Sequence, residues 1–225
     1  MTLRFSHAGG ELAVDLADLV IAGWTGRDAE AVRHHVEELA ALGVAPPSTV
    51  PLHYRVAASL ATFADAVQVV GDGTSGEAEP VLVVADGRRW LGLGSDHTDR
   101  ALEAHSVALS KQACAKPLCG ALWAWDEVAD HLDALELRSW IDEGDGWTAY
   151  QDGTLGAIRP LGELADGAGE ALRPPEGVAA AMLCGTLPTI GGVRPAGAFR
   201  MALHDPVRGR TLEHAYQVRA LPAVA

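Results

Sequence analysis

The sequence predicts a β-rich α+β fold. Short apolar, β-leaning segments recur along its 225 residues, most of them bounded by Gly or Asp. Helical periodicity shows in only two short stretches, one near the N-terminus and one near the middle. No repeat, low-complexity tract or long linker divides the chain. The length fits one domain (1–225), with an N-terminal region at 1–56 and a body at 57–225.

The first strand expected is Glu11 to Ile21, ending at Gly23. Thr25-Gly26-Arg27-Asp28 then reads as a helix N-cap with an acidic residue three positions on. The helix runs to Gly43, a C-terminal glycine. Pro46, Pro47 and Pro51 force an extended connector. Leu52 to Val56 and Ala66 to Val70 are strands, followed by Pro80 to Ala85, Arg89 to Leu93 and Glu136 to Trp140. A helix is expected over Asp126 to Leu135, with Val128, Leu132 and Leu135 on one face. Val178 to Leu183, Ala198 to His204 and Thr211 to Val218 close the chain as strands, the last two joined by a turn from Asp205 to Gly209.

The net charge of −13, from 30 acidic and 17 basic residues, argues against binding to nucleic acid or an anionic membrane. Arg4 and the polar stretch His7 to Glu11 break any early apolar run, so no signal peptide is expected. No window approaches the roughly 20 apolar residues of a membrane span. Cys114, Cys119 and Cys184 are odd in number and sparse, which points to reduced thiols in a cytoplasm. Cys114 and Cys119 lack the second pair a structural zinc site needs.

His34-His35-Val36-Glu37-Glu38 lies inside the first helix. On a helical wheel Val32, Val36 and Leu39 fall within about 60° of one another and form the apolar stripe. His34 and Glu37 fall opposite and should be solvated. His35 and Glu38 sit at the border of the stripe, three apart, so their side chains can meet. A carboxylate beside an imidazole holds its tautomer and raises its basicity. His35 with Glu38 is therefore the better dyad, although H-x-x-E is also the pattern of an ordinary surface pair.

Glu77 and Glu79 alternate along an extended segment and point the same way. Two carboxylates on one face repel unless a cation sits between them, although a solvated edge strand reads the same way. Asp96 follows a strand and Gly94, where it could complete the group. Three oxygen ligands plus waters suit Mg²⁺ or Ca²⁺ better than zinc. His97 is expected in a supporting role. Gly71-Asp72-Gly73-Thr74-Ser75-Gly76 fits G-x-G-x-x-G, but Glu79-Pro80-Val81 follows where a dinucleotide site needs a helix, so NAD is excluded. There is no G-x-S-x-G elbow and no P-loop.

Taken in order, these segments resemble the fumarylacetoacetate hydrolase family over about Ile21 to Val218. His35-Val36-Glu37-Glu38 resembles the family's lid helix. Leu52-His53-Tyr54-Arg55 resembles its F-x-K segment, with Arg55 in place of lysine. Glu77-Ala78-Glu79 resembles the E-x-E metal pair, and Asp96-His97-Thr98-Asp99-Arg100 the D-x-[ST]-x-R element. Ser110-Lys111-Gln112 resembles [AG]-K-[SN], and Gln151-Asp152-Gly153-Thr154 resembles Q-x-G-x-T. Cys184 to Pro188 with Val193-Arg194-Pro195 resembles T-G-T-P-x-G-V and its tail, where Ala196 and Gly197 replace G-D. No one of these is specific; seven in order are. The closest branch is one known only as a domain of unknown function.

The resemblance implies a mixed β-roll with a small N-terminal lid, usually a homodimer. It implies Mg²⁺ (or Mn²⁺) on Glu77, Glu79 and Asp96, and a small acidic substrate that chelates it through a 2-oxo acid or 1,3-dicarbonyl group. Lys111 and Arg100 would add positive charge to a metal-bound enolate. Arg55, Tyr54, Thr154 and Thr186 would bind substrate, with Trp24, Leu52, His53 and Trp123 as further pocket candidates. His35, oriented by Glu38, would activate water for hydrolysis of a C–C bond. Decarboxylation, isomerisation and hydration on the same site stay open, as does a relative that binds a metabolite without turnover.

Overall fold

The structure is a computed structural model that describes residues 2–41 and 45–224, with the side chains of His35 and Leu39 outside the described set. A hairpin opens the chain, β1 (Thr2–His7) and β2 (Gly10–Gly23), before the helix α1 (Ala29–Ala41). β3 (Leu52–Val56), β4 (Ala61–Thr62), β5 (Ala66–Val70) and β6 (Thr74–Ser75) lead to the long hairpin β7 (Ala78–Ala85) and β8 (Arg88–Ser95). β9 (Thr98–Asp99), α2 (Arg100–Glu103) and α3 (Val107–Gln112) follow, then β10 (Lys116–Pro117) and β11 (Trp123–Ala124). The remainder is β12 (Glu136–Asp142), β13 (Trp147–Thr154), α4 (Leu161–Gly167), β14 (Ala179–Leu183), β15 (Ala198–Asp205) and β16 (Arg210–Leu221).

One sheet runs β1-β2-β14-β7-β8-β11 with β3 added on β2; a second runs β13-β12-β15-β16-β5. Both are mixed: β14 is parallel to β2 and β16 to β5, among antiparallel neighbours. The larger core lies between the sheets, where Val20, Leu82, Leu91 and Met182 meet Leu137, Tyr150, Phe199 and Tyr216. A second core covers the other face of the first sheet, around Leu19, Ile21, Val81, Val83 and Leu183. β7 and β14 are therefore buried on both faces, which is why their sequences read as continuous apolar runs. The expected β-rich α+β mixed roll is the fold observed.

Several local expectations need correction. The N-terminal segment Thr2–His7 is a strand, because Leu3 and Phe5 reach the second core while their neighbours face solvent. The α1 cap is Asp28, not Thr25: Asp28 Oδ1 accepts from the Glu30 and Ala31 N–H groups at 2.9 and 3.1 Å. Thr25 is buried instead, with its carbonyl taken by the Arg159 N–H at 2.8 Å. Gly43, the expected helix end, and Leu42 lie outside the described residues. Val32 and Val36 are only half-buried, and no described residue of α1 is buried, so this is a surface helix.

The helix expected over 126–135 is two 3₁₀ turns, Trp125–Glu127 and Ala129–Ala134, interrupted at His131 (φ −138°). His131 instead bonds Asp205 Oδ1 at 3.0 Å, a tertiary contact that overrides the helical pattern. α2 and α3 were not expected; their caps, Asp99 to the Leu102 N–H and Ser106 to the Leu109 N–H, are the only local signal of such short helices. No helix among the described residues is long and apolar enough to cross a membrane.

Candidate active site

β7 places Ala78 and Leu82 toward the inter-sheet core, so Glu79 faces the other way with Val81. Glu77 stands just before the strand. Its carbonyl accepts the Asp96 N–H at 3.0 Å, which ties the ends of the β7–β8 hairpin together. Glu77, Glu79 and Asp96 each bring one carboxylate oxygen within 4.8 Å of the others. Glu79 and Asp96 are buried.

Three cations compensate them. Lys111 on α3 donates to Asp96 Oδ2 and lies 5.7 Å from the Tyr54 ring centroid. Lys116 on β10 is 3.0 Å from Asp96 Oδ1 and donates to the His97 carbonyl at 2.6 Å. Arg100 reaches Glu77 at 3.2 Å, Glu103 at 2.8 Å and the Ser75 hydroxyl at 2.7 Å. Burial by itself would raise the Asp96 pKa, but Lys111 and Lys116 outweigh it and hold this carboxyl well below the usual carboxylate range. Glu79 goes the other way. Burial, with the neighbouring Asp96 charge, raises it well above its ordinary value, against the opposing pull of Lys111 and the Gly185 N–H. Burial would lower the Lys111 pKa, yet the carboxylates around it raise it, so the ammonium stays charged.

The donor set fits a hard divalent cation: three carboxylates meet in a buried site, and Asp96 Oδ1 makes no hydrogen bond despite Lys116 nearby. Glu79, costly to ionise where it sits, is the group such a cation would most favour.

Gln151 organises the floor. Its Oε1 accepts the Ala78 N–H at 2.9 Å and the Ser139 hydroxyl at 2.7 Å; its Nε2 donates to Thr186 Oγ1 at 2.6 Å and the Leu187 carbonyl at 2.8 Å. Thr186 in turn donates its hydroxyl to the Ala78 carbonyl at 2.7 Å, so that proton is engaged within the protein. His97 plays the supporting part expected: its ring bonds Tyr216 at 2.9 Å and Thr74 at 2.8 Å. Burial, then Lys116 and Arg100, push its pKa down to about 3, so the imidazole is neutral. Tyr216 also bonds Ser95 at 2.8 Å, which receives the Glu77 N–H at 3.3 Å.

Glu77, Glu79, Asp96, Lys111, Arg100, Tyr54 and Thr186 are thus brought to one place. Others are not. Arg55 ion-pairs with Asp18 on the neighbouring strand. Thr154 is exposed at the end of β13, opposite Glu136. His53 bonds the Leu164 carbonyl at 3.0 Å, and Trp123 packs under Arg210 at 4.6 Å; both are engaged elsewhere. Trp24 does reach the site's edge, donating its indole N–H to the Tyr54 hydroxyl at 3.1 Å. Glu38 is exposed and lies 3.4 Å from His34; the side chain of His35 is outside the described residues.

Sequence reasoning missed Lys116, Tyr216 and the central place of Gln151. The one visible signal for Lys116 is a lone lysine inside the apolar run Cys114 to Cys119. All three cysteines are free and buried.

No curated protein sequence matches this one. Among solved structures, fumarylpyruvate hydrolase from Pseudomonas aeruginosa in complex with Mn²⁺ and pyruvate superposes with a TM-score of 0.62 at 13% identity, covering 98% of this chain and 97% of that one. 2-Keto-3-deoxy-D-arabinonate dehydratase complexed with magnesium and 2,5-dioxopentanoate superposes with a TM-score of 0.64 at 14% identity, covering 95% and 78%. At these identities the likeness is one of fold. The model of one sequence family matches residues 22–216, nearly the whole chain. The chain belongs to that family, described as protein of unknown function (DUF2848), and carries the fold of fumarylpyruvate hydrolase.

Proposed function

We propose that this protein is a divalent-metal-dependent hydrolase that cleaves a C–C bond in a small 2-oxo or 1,3-dicarbonyl acid of the acylpyruvate type. The observation that carries the reading is the buried meeting of Glu77, Glu79 and Asp96 beside Lys111 and Arg100. These carboxylates would hold Mg²⁺ or Mn²⁺. The bound cation supplies Lewis acidity toward the oxo and carboxylate oxygens of the substrate.

The chain's own groups supply the rest. Lys111 keeps a fixed positive charge at the site through its bond to Asp96, and its remaining N–H groups would stabilise the negative charge that develops on the 2-oxo acid fragment. Arg100 holds Glu77 in place from the side. Tyr54 walls the ammonium of Lys111, and Trp24 fixes the Tyr54 hydroxyl. His35, with Glu38 one turn on, takes a proton from water at a ring nitrogen. The water oxygen attacks the remote carbonyl, the C–C bond breaks, and the imidazolium returns the proton to the carbon of the departing fragment. α1 is a surface helix, so bringing this dyad to the carboxylates requires it to close as a lid on bound substrate.

The same exposure favours a second reading. The carboxylate and lysine set is complete without α1, so decarboxylation, isomerisation or hydration of a 2-oxo acid could proceed on it without the dyad. A homodimer in solution is proposed on the fold likeness alone.

Calorimetric titration of Mn²⁺ and Mg²⁺, alone and with oxalate as an enolate mimic, tests the reading. Tighter cation binding with oxalate, lost in Glu79→Ala, supports it and directs substrate screening to acylpyruvates and oxaloacetate. No binding of either cation overturns it and leaves a binding protein without turnover.

A further inference from the structure

Lys116 has no part in the mechanism above, yet it is fully enclosed, with a relative exposure of 0%. A buried ammonium is expensive unless paired and hydrogen-bonded. Its two partners belong to the segment that carries the candidate ligand Asp96: the His97 carbonyl at 2.6 Å and Asp96 Oδ1 at 3.0 Å. The two-strand pairing of Lys116–Pro117 with Ala61–Thr62 fixes its backbone, so the side chain has one place to go.

Lys111 already occupies the other Asp96 oxygen. Lys111 stands beside Tyr54 and meets Oδ2, whereas Lys116, more deeply buried, meets Oδ1. Counting Glu103, the second partner of Arg100, four carboxylates face three cations, Lys111, Lys116 and Arg100, so most of the negative charge is compensated with no added ion. A divalent cation entering this cluster meets a negative charge that the fold has already largely compensated, and it meets Lys116 at Asp96.

Resting on the metal-site reading above, we propose that Lys116 is a positioning residue that acts as a built-in counter-ion: it holds Asp96 in place when no cation is bound and lowers the affinity of the site for divalent cations. It orients the carboxylate through an ion pair that does not depend on substrate. It also repels the cation across a buried, weakly screened distance. Its presence gives a site that stays formed when empty and binds its cation loosely.

The two roles of a lysine predict opposite signs. If Lys116 only supports the structure, removing it loosens Asp96 and weakens cation binding. If it is a counter-ion, Lys116→Met removes a repulsion and tightens binding. The test is calorimetric titration of Mn²⁺ into cation-free wild type, Lys116→Met and Lys116→Gln, with the Tm of each read with and without Mn²⁺. Lys116→Gln keeps a donor for the His97 carbonyl without the charge, and serves if the Met variant does not fold. Tighter Mn²⁺ binding, by roughly tenfold or more for the loss of a buried unit charge, is expected in the uncharged variants. Their cation-free Tm should fall, and Mn²⁺ should raise Tm by more than it does in wild type. Equal or weaker binding in both variants, with wild type binding normally, overturns the counter-ion role and leaves the metal site standing. If neither wild type nor the variants bind Mn²⁺, the metal-site reading itself falls, and this proposal with it.

Discussion

Glu79 and Gly185 meet through one hydrogen bond: the Gly185 N–H donates to Glu79 Oε2 at 2.7 Å. Gly185 has φ +96°, and a Cβ there would sit 1.6 Å from Thr25 Oγ1. The position thus joins β7, the segment after β14 and the chain leading into α1, and only glycine suits both its backbone and its space. Gly185→Ala should cost about 1–3 kcal/mol from backbone conformation alone, with the clash adding to it, and should weaken Mn²⁺ binding by misplacing Glu79. Urea unfolding and calorimetry check this; a variant equal to wild type in both would refute the role given to the junction.

The pKa directions predict a pH dependence. Glu79 in the folded protein binds its proton more tightly than in the unfolded chain, where the value is near 4.5. Its contribution to stability is therefore fully present below about that pH and is lost as pH rises through the folded value. Without added cation, Glu79→Gln, which mimics the protonated form, should gain stability over wild type as pH rises above the unfolded value. Mn²⁺ competes with the same proton, so its affinity for wild type should climb over the same range. A flat affinity profile would mean that Glu79 is not a ligand.

Asp96 acts in the opposite sense. Its folded pKa is depressed, so its contribution is present above its ordinary value near 3.8 and is lost only as acid takes pH down through the folded value. Asp96→Asn leaves Lys111 and Lys116 buried without their carboxylate. It should destabilise the protein by about 3–5 kcal/mol at pH 7, measured by urea unfolding; a change under about 1 kcal/mol would show that the ion pairs contribute little.

Gln151 satisfies two donors and two acceptors at once. Gln151→Ala should lower stability by about 1–3 kcal/mol for each buried group left without water or protein partner. It should also loosen Mn²⁺ binding, because the start of β7 loses its tether. Thermal unfolding alongside Mn²⁺ titration separates the two effects.

His35→Ala should leave Mn²⁺ affinity unchanged while reducing C–C hydrolysis by about 10²–10⁴-fold. Any decarboxylation of oxaloacetate should persist in the same variant. Steady-state kinetics on both substrates decides between the hydrolase and the dyad-independent reading. Equal loss of both activities would place the base in either reaction.

Legibility followed distance along the chain. Glu77 and Glu79 were readable as a pair because strand alternation is a local rule, and Asp96 because it follows the next strand of the same hairpin. Lys111 and Arg100 rested on motif order rather than on any local rule. Thr154 and Gln151 stand in one motif, yet only Gln151 turns inward; the Ser139/Trp140 register shift between β12 and β13 lies beside it and was invisible in the sequence. Arg55 was placed by its motif, while the strand pairing of β3 with β2 gives it Asp18 as a partner.

By itself the sequence determined the strand-rich class, the strands at β7 and β14, the acidic charge and the residue types of the carboxylate cluster. Those follow from side-chain period and composition, which neighbouring residues set. Tertiary structure alone decided that Lys116 and Lys111 share one carboxylate, that Gly185 holds Glu79 from 106 positions away, and that the 126–135 segment is two 3₁₀ turns rather than one helix. Such pairings depend on burial and charge compensation between segments brought together only by packing of the sheets. No local pattern encodes them, because each partner is ordinary until the other arrives.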